Sequence, residues 1–266
     1  MTMNKNSTGY TFGFAIAMVV VVGATLAFTA LALKDRQKAN AADKKRMDIL
    51  SAIGVQATRL TASEVFDEYV VERISLDANG QSVSVKTGPI VTTDKADPFN
   101  IDVKKDYRAH VKSAAKAADG DDQALRAAME TAGLNFPLFR CEKEGESIYV
   151  VPVVGSGLWG PIWGYLALES DMTTIYGATF DHKTETPGLG AEIKEAFFQD
   201  KFKGKSIASA SELLFDVVKG GAPTNEHSVD GITGGTITSK GVGEMINRTL
   251  KVYVDYFDMQ NAKASR

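Results

Sequence analysis

Residues 149–168 read YVVPVVGSGLWGPIWGYLAL, with an apolar run on each side of the glycine-rich segment 155–160. β-Branched and aromatic residues flanking a short glycine turn are typical of a β-hairpin. The turn also spells G-x-G-x-x-G, the pattern of a dinucleotide-binding loop. That loop must open a helix, whereas residues 161–166 continue as a second strand. The stretch therefore predicts a hairpin tip in a sheet-centred fold.

A second hairpin is predicted upstream, where ISLDANGQSVSV at 74–85 alternates in polarity around Asn79 and Gly80. An Asn-Gly pair favours the tight turn of an antiparallel hairpin. Further strands are predicted at 147–154, 165–168 and 174–180, and helices at 121–133, 191–198 and 241–257. In the helix at 121–133, Asp stands at the start, Gly at the end and four apolar residues on one face. The pattern is that of an α+β fold without repeats.

An uncharged run occupies residues 12–33, 22 positions rich in Val, Ala, Leu, Ile and Phe. At a rise of about 1.5 Å per residue, it is long enough to cross a hydrocarbon core of about 30 Å. It is longer than the apolar region of a typical signal peptide, and the following KDR is a poor cleavage site. We predict a short N-terminal segment (1–11), a transmembrane helix (12–33), a helical linker (34–60) and a soluble domain (61–266).

The charges that flank this span give a first prediction of topology. Lys5 is the single basic residue before the span, and six basic residues follow it within 34–46. The positive-inside rule, taken alone, places the large domain in the cytoplasm. The span has no acidic residue that would indicate ion conduction.

Composition excludes several classes of function. The formal net charge is −3 with both signs interspersed, which gives no basic surface of the kind that binds nucleic acid. A single cysteine, Cys141, excludes an intrachain disulfide and a cysteine-rich metal or iron–sulfur site within this chain. Its neighbours indicate an inert strand position. The three histidines are scattered, so neither a metal centre nor a catalytic triad is predicted.

Residues 230–238 read DGITGGTIT and place the hydroxyl of Thr236 behind Gly234 and Gly235. Glycines let the backbone approach a ligand closely, and exposed amides can bind a phosphate. The segment lacks the Gly-Lys-Ser/Thr ending of a Walker loop. No histidine base lies nearby in sequence, so self-modification of Thr236 is not expected.

A second motif, HKTETPGLG at 182–190, combines a Pro-Gly turn with a following segment of helical spacing. Residues 186–190 are therefore expected where helix-terminal amides bind an anion. With this motif, DGITGGT resembles the flavin-attachment sequence of a family of covalent flavoproteins: the C subunit of the sodium-translocating NADH:quinone oxidoreductase and the related G subunit of the Rnf complex. Gly235 replaces the usual Ala, and one extra residue separates His182 from Glu185. The segments PFNIDV (98–103) and GLWG (157–160) extend the resemblance, and the chain length favours the quinone-reductase protein.

The resemblance implies that a dedicated flavin transferase attaches FMN to Thr236 through a phosphoester, and that the FMN-binding part spans about 140–260. It implies an electron relay that works only with other subunits, in a bacterial inner-membrane complex coupling NADH oxidation by quinone to sodium export. No catalytic residue beyond the flavin is expected. It also places the soluble domain on the periplasmic face, against the charge bias. A non-redox, membrane-tethered binding domain is the alternative outside this family.

The expected cofactor contacts fall into three groups. Turn amides, hydroxyls and one ammonium would stabilise the phosphate, and Asp230 would belong to the sequence that the transferase recognises, with an Asx-turn as the structural alternative. Aromatic and apolar residues of the hairpin tip would lie beside the flavin, with core packing as the alternative for Trp159. The predicted site residues besides Thr236 are Asp230, Thr233, Gly234, Gly235, Thr238, Ser239, Lys240, Leu158, Trp159, Glu185, Thr186, Leu189 and Gly190.

Overall fold

The computed structural model describes residues 7–207, 215–221 and 224–264. The chain divides into two units, residues 1–45 and residues 46–266. The α-helices are α1 (Thr8–Ala52), α2 (Ala62–Tyr69), α3 (Val103–Asp106), α4 (Lys112–Ala118), α5 (Asp122–Thr131), α6 (Ala196–Gln199) and α7 (Thr236–Ala264). The strands are β1 (Val70–Leu76), β2 (Ser82–Lys86), β3 (Phe136–Lys143), β4 (Glu146–Ser156), β5 (Pro161–Leu168), β6 (Ile175–His182), β7 (Asp216–Val218) and β8 (Ser228–Asp230).

Helix α1 is one continuous helix of 45 residues that contains the predicted span. By length and composition it could cross a membrane. It ends at Ala52, so the prediction of helix as far as residue 60 is wrong. Gly54 adopts φ +71, and the Val55 N–H donates to the Leu50 carbonyl at 2.9 Å, the turn with which glycine commonly ends a helix. Lys5, which contributes to the charge bias, lies outside the described residues.

Six antiparallel strands form one sheet in the order β2-β1-β3-β4-β5-β6. Both predicted hairpins are confirmed: β1 pairs with β2 around the Asn-Gly turn, and β4 pairs with β5 up to the facing pair Ser156 and Pro161. The predicted strand at 174–180 is β6, and Cys141 lies in β3, fully buried. Burial raises the pKa of the Cys141 thiol to about 12, which keeps it protonated and unreactive at neutral pH.

Helix α7 packs across β4, and two glycines bring them close together. A Cβ on Gly155 would lie 2.6 Å from the Met245 Cβ, and one on Gly241 would lie 2.4 Å from the Ser156 carbonyl oxygen. Neither position has room for a side chain, because real Cβ contacts are longer. The apolar face of α7, which includes Met245 and Ile246, is buried in the core. This packing sets the start of α7 beside the β4–β5 hairpin tip.

Two predicted helices are changed at their limits. Helix α5 begins after Asp121, whose carboxylate accepts the N–H groups of Gln123 and Ala124 at 2.9 and 3.1 Å, and it buries Leu125 and Met129. Ala128, expected on the same face, is exposed. The helical run predicted at 191–198 is broken into a 3₁₀ turn (Gly190–Lys194) and the single turn of α6.

Candidate functional site

A cleft of about 220 Å³ lies where the β4–β5 hairpin tip, the loop after β6 and the start of α7 meet. These are the three segments that the two motifs and the glycine-rich hairpin predicted. Ten predicted residues and one unpredicted residue line the cleft: Leu158, Trp159, Glu185, Thr186, Leu189, Gly190, Gly234, Gly235, Thr236, Thr238 and Ile237.

The floor of the cleft is the first turn of α7, which begins at Thr236 itself, five residues before the predicted start. Gly234 adopts φ +79, and the Gly235 N–H donates to the Ile232 carbonyl at 2.9 Å. This turn leads directly into the first residue of α7. Within the described part of the chain, no group accepts a hydrogen bond from the N–H groups of Thr236, Ile237 and Thr238. Such free amides, together with the helix dipole, form a site for a phosphate.

Glu185 holds the three walls of the cleft together, although its side chain is only 5% exposed. Its Oε1 accepts the N–H groups of Trp159 and Gly160 at 2.8 and 3.2 Å. Its Oε2 accepts the Thr238 hydroxyl at 2.6 Å. A buried carboxylate is tolerated when donors surround it, and hydrogen bonds to a charged acceptor are among the strong ones in proteins. One side chain therefore joins the hairpin tip to the start of α7.

The loop that carries Glu185 is itself fixed at both sides. His182 accepts the Glu185 N–H on Nδ1 at 3.2 Å, which assigns the proton of a neutral ring to Nε2. That Nε2 is buried and has no hydrogen-bond partner among the described residues. Thr184 donates its hydroxyl to the Trp159 carbonyl at 3.0 Å. A Cβ at Gly190 would lie 2.5 Å from both Glu185 Oε2 and Thr238 Oγ1, so this position needs glycine.

Two predicted phosphate-binding hydroxyls have other partners. Ser239 is 1% exposed, lies outside the cleft lining, and accepts the Ile232 N–H on its Oγ at 2.9 Å. Its hydroxyl therefore closes the turn before α7, and its role at the phosphate stays a prediction. Thr238 does line the cleft, but it is equally buried and its hydroxyl proton is donated to Glu185. Both residues hold the helix start in place from inside.

Three further predicted residues lie outside the lining of the cleft. Thr233 and Lys240 are exposed, and Lys240 is one turn along α7 from Thr236. Asp230 lies in β8, where its carboxylate accepts the Gly221 N–H at 2.6 Å and the Lys201 ammonium at 3.2 Å. These two donors, the Gly221 amide first, lower the pKa of Asp230. The Asx-turn considered for Asp230 is not formed, because both partners are distant in sequence.

Trp159 and Leu158 are 67% and 51% exposed at the hairpin tip, so the alternative of core packing for Trp159 is wrong. Ile237 was missed, although it is 59% exposed in the lining. The sequence motifs ended at Thr236 and resumed at Thr238, and no residue-type signal marked the Ile237 side chain between them. Apolar side chains at the mouth and amides at the floor suit a ligand with a flat ring and a phosphate.

The comparisons with known proteins agree with this description. The FMN-binding domain family matches residues 157–251, which contain the whole cleft lining. The fold and the cleft thus define an FMN-binding domain that follows a long N-terminal helix in the sequence.

The C subunit of the Na(+)-translocating NADH-quinone reductase of Vibrio campbellii is 32% identical over 91% of this chain and 90% of its own length. The same protein of Haemophilus ducreyi is 29% identical over 90% and 88%. The C subunit from Parabacteroides distasonis, whose crystal structure is known, is 36% identical to this chain. The two structures have a TM-score of 0.66 over 85% of this chain and 96% of that one. The chain therefore belongs to the family of C subunits of the Na(+)-translocating NADH-quinone reductases.

Proposed function

We propose that this chain is the electron-carrying C subunit of a membrane complex that couples NADH oxidation by quinone to sodium export, and that it carries FMN on Thr236. The observation that supports this most directly is the place of Thr236. Its side chain starts from the first residue of α7, inside a cleft whose floor amides are free to bind a phosphate. The relatives reported above are all C subunits of the sodium-translocating reductase, which favours this complex over the Rnf complex.

The residues present fit FMN at both of its ends. The phosphoester would lie against the N–H groups of Thr236, Ile237 and Thr238, and Lys240 is the ammonium next along the helix. The ring would contact the apolar side chains at the mouth, Leu158, Trp159 and Leu189. When bound, the isoalloxazine supplies the electron-transfer chemistry, while the protein sets its position and surroundings.

The chain's own part in the reaction is to orient the cofactor and hold its surroundings rigid. Glu185 holds the hairpin tip against α7, so the residues that would contact the ring cannot move apart from those that would bind the phosphate. A separate flavin transferase would catalyse the attachment: the Thr236 hydroxyl would lose its proton and bond to phosphorus, and the group that the phosphorus carried in the flavin donor would leave. The described part of the chain places no base on that hydroxyl: the one histidine of the motif, His182, uses Nδ1 for the Glu185 N–H.

Asp230 is proposed as part of the transferase recognition sequence and not as a ligand of the flavin. Its carboxylate is 38% exposed beside Lys201, on the strand that leads into the attachment turn. We further propose that α1 anchors the chain in the bacterial inner membrane with the soluble domain in the periplasm, where the family's transferase works. Expression of a periplasm-sensitive reporter fused after residue 264 would test this topology directly.

Intact mass spectrometry tests the attachment. The full-length chain, co-expressed with a flavin transferase, is expected to gain the mass of FMN less one water, and Thr236→Ala is expected to lose that gain completely. Thr224→Ala is the matched control, because Thr224 is an exposed threonine outside the attachment motif at 230–236 and outside the cleft lining. A wild-type chain without the adduct, in the presence of an active transferase, would contradict the proposal.

A further inference from the structure

A second and larger cleft, of about 540 Å³, shares Leu158 and Trp159 with the flavin cleft. We call it the basic cleft. It lies between the β4–β5 hairpin tip and the helical segment from Asp102 to Lys112, and nothing in the flavin chemistry uses it. Five basic residues line it against a single acidic one, Asp102: Lys104, Lys105, Arg108, Lys112 and Lys183.

This concentration of positive charge lies in a chain whose overall formal net charge is −3. The surface outside the cleft therefore carries an excess of negative charge. Lys105, Arg108, Lys112 and Lys183 are exposed, and none of them forms an ion pair with another residue in the described ranges. Asp106 lies within electrostatic reach of Lys105, but the basic side chains of the cleft outnumber its acidic ones and their field extends into solvent.

The wall of the basic cleft contains aromatic residues that make further contacts. Residues Tyr107–Val111 form one turn of π-helix between α3 and α4, a rare conformation that often marks functional sites. The buried Tyr107 hydroxyl lies 3.2 Å from the Ser156 hydroxyl at the end of β4, and the Arg248 guanidinium stacks over the Tyr107 ring at 4.7 Å. The Lys104 ammonium lies 4.0 Å from the centre of the Trp163 ring.

We propose that the basic cleft is the docking site for an acidic surface of a partner protein in the complex that exchanges electrons with the flavin. This rests on the proposed function, because it takes the adjacent cleft as the flavin site. Transient electron-transfer contacts are small and are guided by opposite charges, and an exposed aromatic residue inside a charged rim is a common anchor. Trp159 stands between the two clefts, so a partner seated in one touches the mouth of the other.

The shape and chemistry of the cleft favour a protein over other anionic partners. Its cations stand on exposed, flexible side chains, whereas a site for a small anion would be expected to have buried donors that converge on one point. The cleft is concave, with aromatic rings inside, and a flat bilayer of anionic lipid cannot enter it. A protruding acidic segment of a protein fits both the concave shape of the cleft and its exposed cations. The opposite charge of the remaining surface would also orient the approach.

The test uses the purified complex with the double variant Lys105→Glu and Lys112→Glu, both exposed residues outside the flavin cleft. The rate of NADH-driven reduction of the covalent flavin is measured at low and high salt. We expect the rate at low salt to fall about tenfold, with a flatter dependence on ionic strength, because steering contributes about that factor or more. Co-purification of less of the other subunits would support the same conclusion.

The matched control reverses two exposed lysines that do not line the cleft, Lys95→Glu and Lys116→Glu, and is expected to keep the wild-type rate and salt dependence. Flavin content, measured by mass, separates the two proposals: a missing adduct in the wild type refutes the flavin site. An intact adduct with unchanged rates in the Lys105/Lys112 variant refutes the docking site. Unchanged rates with weaker binding to phosphatidylglycerol vesicles would assign the cleft to lipid. That result would also overturn the proposal of a protein docking site.

Discussion

The two clefts that share Leu158 and Trp159 are built in opposite ways. In the flavin cleft, a buried carboxylate, Glu185, accepts three hydrogen bonds from two segments, and the backbone at Gly190 packs directly against Glu185 and Thr238. In the basic cleft, exposed side chains carry the charges, and the described contacts lie around Tyr107 and where Lys104 stands over Trp163.

This difference separates a site that holds a cofactor permanently from one that meets a partner briefly. A covalent flavin needs surroundings that stay in place through every cycle of reduction, and buried hydrogen bonds provide this rigidity. A docking surface must release its partner, so exposed charges, which act at long range and add little net affinity, suit it better. Mutations in the first region should therefore change stability, and those in the second should not.

The largest effect on stability is expected from Glu185→Ala. It leaves the part-buried N–H of Trp159 and the buried Thr238 hydroxyl without an acceptor, and an unsatisfied buried group costs on the order of 1–3 kcal/mol. We expect the free energy of unfolding to fall by about 3 kcal/mol, measured by urea denaturation of the detergent-solubilised chain.

Glu185→Gln is the control for this prediction. Its amide keeps one oxygen acceptor and the side-chain volume, so about half of the loss is expected. Equal unfolding curves for wild type and Glu185→Ala would show that the carboxylate does not hold the segments together. The proposed difference in stability between the two clefts would then be refuted.

Gly190→Ala should cost somewhat less, about 2 kcal/mol, because overpacking of a filled site typically costs about 1–3 kcal/mol. The added Cβ would be placed 2.5 Å from Glu185 Oε2 and from Thr238 Oγ1. The matched variant is Gly188→Ala, where φ is +75 but no atom lies within 4 Å of the new Cβ. Only backbone strain of about 1 kcal/mol is expected there. Thermal unfolding that ranks Gly188→Ala as the more damaging change would contradict the close packing at Gly190.

Much of the fold follows from local signals in the sequence. The Asn79 and Gly80 turn and the GSGLWG tip each fix a hairpin, because turn chemistry and alternation act within a few residues. The end of α1 was missed, although Gly54 supplies the signal, since the charged and apolar pattern continues past it. The start of α7 was missed because TITSK has the β-branched residues that helices disfavour.

The site was predictable in its segments but not in its contacts. The motifs name the residues that line the flavin cleft, yet Ser239 and Thr238 were given to the phosphate on the basis of residue type. Their actual partners are Ile232, seven positions away, and Glu185, 53 positions away. No local pattern encodes a pairing at that distance, because it depends on how α7 packs across β4 through Gly155 and Gly241.

A smaller effect on stability is expected from Asp230→Asn, which lies at the edge of the flavin region. Hydrogen bonds from Gly221 and Lys201 lower the pKa of Asp230 in the folded state, so the ionised form stabilises the fold at pH values above the ordinary 3.8. This stabilisation is lost as the pH falls through the lower, folded-state pKa. The ion pair is partly exposed, so we expect less than about 1 kcal/mol between about pH 5 and 7, and a smaller difference at lower pH.

The same variant tests whether Asp230 is needed for flavin attachment. If Asp230 serves recognition by the transferase, Asp230→Asn should lose most of the FMN adduct by mass although its stability is nearly that of the wild type. Lys201→Met, which removes the partner of the carboxylate but keeps the carboxylate itself, should retain the adduct. An unchanged adduct in Asp230→Asn would leave the residue with a structural role only.

The smallest effect is expected in the basic cleft, where Lys105→Glu with Lys112→Glu should change the free energy of unfolding by no more than about 0.5 kcal/mol, as is usual for surface substitutions. The two side chains are exposed and form no ion pair within the described ranges. Relief of repulsion among the basic residues would, if anything, stabilise the variant at low salt. Urea unfolding at two salt concentrations measures this. A loss comparable to that of Glu185→Ala would mean that the charges support the fold, whereas unchanged stability with slower electron transfer assigns them to docking.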